Sequence, residues 1–173
     1  MILISGVHGV GKTYFCNEVR ERLGIDSFSA SSLITSKKQK GFPANKLIPD
    51  IDINQQYLLA AIEDLRSAGN EFILDGHFCL LNGEGTITRI GFDTVLSLKP
   101  DAIILLTESP EIIAKRRKER DGVEPAVSAI AAFQDAERSY AKEVSARLAV
   151  PFFLSTGHQD LDAALEFIMS RRS

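Results

Sequence analysis

The sequence predicts a parallel α/β fold: one sheet with helices on both faces. Three observations predict it. Short apolar runs alternate with stretches whose apolar residues recur at helical spacing, in the order strand, helix, strand, helix. The runs Ile2-Leu3-Ile4, Phe72-Ile73-Leu74 and Ala102 to Leu106 are apolar without alternation, as strands covered on both faces are. The chain has 173 residues, the size of one domain with a full core, and residues 1–173 read as one unit without internal repeats or low-complexity segments.

The elements follow in order. Ile2 to Ile4 is the first strand, stopped by Ser5-Gly6. Phe15, Val19 and Leu23 mark a helix that ends at Gly24. Ser27-Phe28-Ser29 is a short second strand, and Ser31 to Lys38 a short helix. Lys37 to Pro49 is polar and holds Gly41, Pro43 and Pro49, so it reads as loop. Leu58, Ile62 and Leu65 mark a helix closed by Gly69-Asn70. Phe72 to Leu74 is a strand ending at Asp75-Gly76. In the region up to Pro100, the turn Gly83-Glu84-Gly85 joins two short extended pieces. Ala102 to Leu106 is the most apolar strand, and Ser109-Pro110-Glu111 opens a helix with proline at its first position. Ile130, Phe133, Tyr140, Val144 and Leu148 mark a long helix. Val150 to Leu154 is the last strand, and Leu161, Leu165 and Ile168 mark the last helix.

Composition narrows the function classes. A net charge of −3 argues against broad binding to nucleic acid or an anionic membrane. No apolar run reaches the roughly 18 residues that span a bilayer, and Met1 to Ile4 lacks the form of a signal peptide. Two cysteines, Cys16 and Cys79, suit free thiols in a reducing cytoplasm and read as packing residues.

In a parallel sheet, ligands bind beyond the carboxyl ends of the strands, here Gly6, Asp75, Thr107 and Ser155. Gly6-Val7-His8-Gly9-Val10-Gly11-Lys12-Thr13 fits the phosphate-loop pattern G-x-x-x-x-G-K-[ST], after a strand and before a helix. Glycines let the backbone curl so that its N–H groups and the helix end hold phosphate oxygens. Lys12 then reaches the β- and γ-phosphates of a nucleoside triphosphate, and Thr13 ligates Mg²⁺. His8 lies in the variable part and is given no catalytic role. Asp75, ending a strand opposite this loop, is a candidate second ligand of the metal. Residues 114–121, "AKRRKERD", gather five cations, with Arg116 and Arg120 on one helical face, suited to charge that spreads in phosphoryl transfer.

On these stretches, with "ILDGHF" at 73–78, "LKPDAIILL" at 98–106 and "FLSTGHQDLDAALEFI" near the end, the chain resembles the P-loop small-molecule kinases, most of all adenylate kinases of the archaeal type. The resemblance implies a three-layer fold with a five-stranded parallel sheet. It also implies an acceptor-binding region at about 30–70, a short lid at about 116–124, and transfer from ATP with Mg²⁺ to a nucleoside monophosphate. By matching positions, Lys12, Asp75, Arg116 and Arg120 are the catalytic candidates, and Thr13 and Asp75 the metal ligands. Gly6, His8, Gly9, Val10, Gly11, Tyr14, Thr156 and Gly157 join Lys12, Thr13 and Arg116 around the nucleotide.

The chain departs from that pattern at the acceptor. Gly76-His77-Phe78 stands where many such kinases carry a proline-arginine signature, and the region 30–70 holds Lys37, Lys38, Lys40 and Lys46 but no arginine before Arg66. Ser31, Lys37, His77 and Arg89 are the acceptor candidates. Two alternatives stay open: a kinase for a nucleoside or another small metabolite, and a small ATPase acting on a macromolecule. The expected partner is a small-molecule phosphoryl acceptor, with no membrane. No Asn-Lys-x-Asp signature for guanine is present, since Leu98-Lys99-Pro100-Asp101 precedes a strand.

Overall fold

The structure is a computed structural model, and it describes residues 1–39, 53–69, 71–122 and 124–172. The expected loop around Gly41, Pro43 and Pro49, with Lys40 and Lys46, lies outside the described residues, as does Asn70.

Five strands form one parallel sheet: β1 (Ile2–Ser5), β2 (Asp26–Ser29), β3 (Phe72–Asp75), β6 (Ala102–Leu106) and β7 (Phe152–Ser155), in the order β2-β3-β1-β6-β7. The two most apolar strands lie at or beside the centre: β1 and β6 pair from Ile2 opposite Ala102 to Ser5 opposite Leu105, and every residue of both is buried. A separate antiparallel hairpin, β4 (Cys79–Leu81) and β5 (Ile87–Arg89), turns through the expected Gly83-Glu84-Gly85.

The helices are α1 (Lys12–Leu23), α2 (Ala30–Gln39), α3 (Ile53–Ser67), α4 (Phe92–Leu98), α5 (Pro110–Asp121), α6 (Val127–Leu148) and α7 (Leu161–Met169). They cover both faces, because alternate strand residues point to opposite sides. Ile2, Ile4, Ile73 and Ile104 pack with Phe15, Val19, Leu165 and Ile168, from α1 and α7. Leu3, Leu74, Ile103 and Leu105 pack with Leu58, Ile62, Tyr140 and Val144, from α3 and α6.

The sequence pattern misses one helix. The seven residues of α4 are too short to show a period, and Lys99 in a left-handed conformation stops it before Pro100. The stretch 116–124, expected as a lid, falls on the last turns of α5 and the left-handed Gly122, with residue 123 outside the described residues.

Candidate active site

The strand β1 delivers the chain into a loop that only glycine can follow. Gly6 has φ +148°, and a Cβ there would stand 2.8 Å from the Leu106 carbonyl oxygen on β6. Gly9 has φ +91°, and a Cβ there would meet the Arg117 side chain of α5 at 2.9 Å. The loop is therefore clamped between the sheet and α5. Helix α1 then starts at Lys12 with Gly11 before it, no side-chain cap and no acid in its first turn. Its leading N–H groups and its positive end remain available to an anion.

Lys12 Nζ donates to the Gly6 carbonyl at 2.6 Å and stands 3.8 Å from Asp75 Oδ1. Register puts Asp75 there. It pairs with Ile4 across β1 and β3, and the next N–H, of Gly76, donates to the Ile4 carbonyl at 2.9 Å. Burial pushes the Lys12 ammonium below its ordinary pKa and the Asp75 carboxyl above its own, and the attraction between the two opposes both shifts.

Behind this pair lies a carboxylate that the sequence reading missed. Glu137, on α6, is 1% exposed. Its Oε2 accepts from the Phe78 backbone N–H at 2.9 Å and from Ser5 Oγ at 3.2 Å. Its Oε1 lies 3.4 Å from His77 Nδ1, and among the described residues neither atom has a hydrogen-bond partner. Glu137 thus ties the end of β1 to the turn after β3 and faces the inner side of the His77 ring. It interrupts the helical stripe Phe133, Glu137, Tyr140, Val144, and a charge in such a stripe was the available signal.

The cationic side comes from α5. Arg116 donates to the Val10 carbonyl at 3.1 Å and to Glu108 at 3.0 Å, so it is fixed over the loop. Arg120 donates to both oxygens of Asp121 and contacts His8 Nε2. Those hydrogen bonds hold the Asp121 carboxyl down to about 2. On the far side, Ser155 Oγ and the Thr156 N–H both donate to Asp160, at 2.7 and 2.9 Å, and the Gly157 N–H donates to Ser155 Oγ. The loop after β7 is pinned by these contacts at the cavity wall.

The phosphate loop, Asp75, His77, the arginines of α5 and the loop after β7 meet at one cavity of about 970 Å³. His8, Gly9, Val10, Gly11, Lys12, Thr13, Tyr14, Asp75, His77, Arg116, Arg120, Thr156, Gly157 and Ser31 all line it. Gly6 shapes the turn beneath and offers its carbonyl to Lys12. Two acceptor candidates fall elsewhere. Lys37 is paired with Asp64 at 2.6 Å, and Arg89 with Glu143 at 2.9 Å above the Tyr140 ring; neither lines the cavity. Each faces an acid from a helix distant in the chain, which sequence spacing does not reveal. Cys16 and Cys79 are buried free thiols, pushed up to about 11 by burial, as packing residues should be.

Mg²⁺ fits the residues present. Thr13 and Asp75 offer two oxygen donors on the cavity wall, a number that suits a cation taking its remaining ligands from phosphate and water. Among the described residues no group of three or more histidine, cysteine or acidic side chains forms a metal cage, and no helix is long and apolar enough to cross a membrane.

Comparison with known proteins gives three results. A family model described as an AAA domain matches residues 5–132. An adenylate kinase of Pyrobaculum aerophilum is 31% identical over 124 residues, 68% of this chain, and a putative adenylate kinase of Methanocaldococcus jannaschii is 30% identical over 127 residues, 72% of this chain. The matches span 62% and 60% of the lengths of those two relatives. Among solved structures, a gluconokinase from Sinorhizobium meliloti superposes with a TM-score of 0.52 at 19% identity, covering 98% of this chain and 89% of that one. An uncharacterized protein from Eubacterium ventriosum does so with a TM-score of 0.54 at 14% identity, covering 98% and 95%. At those identities the two structures establish the shared fold.

Proposed function

Because this chain belongs to the AAA domain family, whose model matches residues 5–132, we propose that it moves the γ-phosphoryl group of ATP to a small-molecule acceptor. One observation carries the reading. Lys12 and Asp75 face each other across 3.8 Å, and the cavity they share continues well past them. A pocket that ended at the phosphates would suit hydrolysis; this one gives an acceptor somewhere to sit.

The backbone donors of residues 9–13 hold the phosphate tail, and Lys12 turns from the Gly6 carbonyl to the β- and γ-oxygens. A polyphosphate beside Lys12 favours its charged form and so offsets the effect of burial. Thr13 and Asp75 would hold Mg²⁺, which neutralises phosphate charge when bound. Arg116 and Arg120 stabilise the charge that spreads over the moving group, and the short lid at their end of α5 keeps water out. Thr156 and Gly157 border the base of the nucleotide. Asp75, and His77 with the Glu137 carboxylate facing its ring, position the nucleophile. The work is positioning and electrostatics, without a covalent enzyme intermediate.

Two relatives named adenylate kinase support a nucleoside monophosphate as the acceptor. The test of the reading itself is ADP formation by the purified chain with Mg·ATP, with and without small acceptors. Acceleration by an acceptor, lost in Lys12→Ala, is expected. ADP formation that responds only to a macromolecule would replace the kinase with an ATPase.

A further inference from the structure

Behind the cavity wall two buried polar atoms face each other. Glu137 sits in the middle of α6, 1% exposed, with Tyr140, Ala141 and Val144 buried along the same helix. Its Oε2 already takes two donors, the Phe78 N–H at 2.9 Å and the Ser5 hydroxyl at 3.2 Å. Its Oε1 takes none. At 3.4 Å from it lies His77 Nδ1, equally buried and equally without a hydrogen-bond partner among the described residues. Buried polar atoms left unpaired are rare, because each has given up its hydration for nothing. Two of them at this separation stand about 0.5 Å from a hydrogen bond, and such bonds tighten when a site is filled.

Chemistry sets the direction of that bond. An ionised carboxylate has acceptors only, so the proton between the two must belong to the imidazole. In a neutral ring one nitrogen carries the proton and the other is bare, and the hydrogen bond that the ring makes decides which. With the proton on Nδ1, toward Glu137, Nε2 keeps a lone pair. The His77 side chain is 32% exposed and lines the cavity, so its open edge is the one that carries Nε2. The carboxylate is itself held in place. Ser5 ends β1 and Phe78 closes the turn after β3, so Oε2 cannot swing away without losing both bonds.

We propose that Glu137 is a positioning residue that holds the His77 proton on Nδ1, so that Nε2 meets the cavity as a bare acceptor for an O–H group. The inference deepens the phosphotransferase reading above and rests on it for its kinetic arm alone. A deprotonated phosphate has no proton to offer this nitrogen, so the grip on phosphate stays with Lys12, the loop N–H groups and the arginines of α5. What Nε2 takes is a proton-bearing oxygen at the inner wall: a hydroxyl of the acceptor, or a water beside it.

The test reads the tautomer directly, by ¹⁵N NMR of the histidine rings in the full chain at about pH 8.5, where an ordinary imidazole is neutral. Bare and protonated ring nitrogens have well-separated shifts, and His77→Asn identifies the signals of this ring among the three histidines. The expected result is a proton on Nδ1 and a bare Nε2. A proton on Nε2, in a neutral or a charged ring, overturns the inference and leaves the phosphotransferase reading standing. Glu137→Gln should invert the tautomer, because its amide oxygen takes the Phe78 and Ser5 donors and its NH₂ then faces Nδ1. An unmoved tautomer overturns the role given to Glu137. The kinetic arm measures ADP formation from Mg·ATP with and without the best small acceptor. Glu137→Gln should lower kcat by about 20-fold in the parent and by less than about twofold in a His77→Ala background; equal losses in both would make Glu137 structural and overturn the proposal. A loss confined to acceptor-dependent turnover identifies the partner of Nε2 as an acceptor hydroxyl, and a proportionate loss without acceptor identifies it as water. ADP formation indifferent to every acceptor overturns the phosphotransferase reading, while the tautomer stands or falls on the NMR result.

Discussion

The two ends of the cavity are made by different means. The donor end is mostly backbone: eight consecutive residues, Gly6 to Thr13, supply the turn, the helix end and the lysine, and one parallel register adds Asp75. The proposed acceptor end is built mostly by side chains, scattered over β1, β2, α2, α3, β3, β4 and α4. Phosphate chemistry is the same for every triphosphate, so a short rigid motif can serve it. Acceptor choice needs shape, and shape comes from scattered positions that can change one at a time.

The largest expected effect tests the donor end. Lys12→Ala should lower transfer by about 10³-fold with the circular dichroism spectrum unchanged, since it removes a phosphate contact while the glycines that shape the turn stay in place. Parent-like transfer would break the assignment. Next, Asp75→Asn should cost about 10²-fold in kcat yet leave the protein at least as heat-stable as the parent at pH 7. The sign follows from the raised carboxyl. The folded state binds this proton more tightly than the unfolded state, so the parent loses stability as pH rises from 3.8 through the raised value. Melting curves of the two proteins should therefore converge near pH 3.8 and separate above the raised value.

Between the two ends, Arg120→Ala should cut kcat by about 50-fold and change ATP affinity little, as for a contact made in the transition state. Equal losses in both would make Arg120 a binding residue. Glu137→Gln keeps an acceptor for Phe78 N–H and Ser5 but removes the charge facing His77. It should lower kcat by about 20-fold and alter the pH dependence of kcat; an unchanged pH profile would make Glu137 purely structural. The smallest effect belongs to the acceptor end. Val95→Ala should raise the acceptor KM by about tenfold, the lower range for lost methyl contacts, with ATP kinetics untouched.

The same contrast explains what the sequence made legible. The phosphate loop could be read because its chemistry and its fold use neighbouring residues, and Asp75 because it ends an apolar run. The hairpin was legible from Gly83-Glu84-Gly85, and α5 from Ser109-Pro110, whose serine Oγ accepts from the Ile112 N–H. The acceptor wall left no local mark: Leu3, Leu58 and Val95 look like any core residue until the fold brings them together. Lys37 and Arg89 were expected at the acceptor because charge invites a ligand, but their partners Asp64 and Glu143 sit 27 and 54 residues away. Helix α4 escaped notice because its Gly91 start, with no side-chain cap, and its seven residues carry weak signals, although it supplies Thr94, Val95 and Leu98 to the cavity.

The central claim is that the terminal phosphorus of ATP moves to a small-molecule acceptor held in this cavity. Phosphorus NMR of a turnover mixture containing the chain, Mg·ATP and the best acceptor follows that atom directly. The account predicts that the γ-phosphorus signal reappears on the acceptor in step with loss of ATP. Its appearance solely as inorganic phosphate, at the same rate with and without the acceptor, would contradict it.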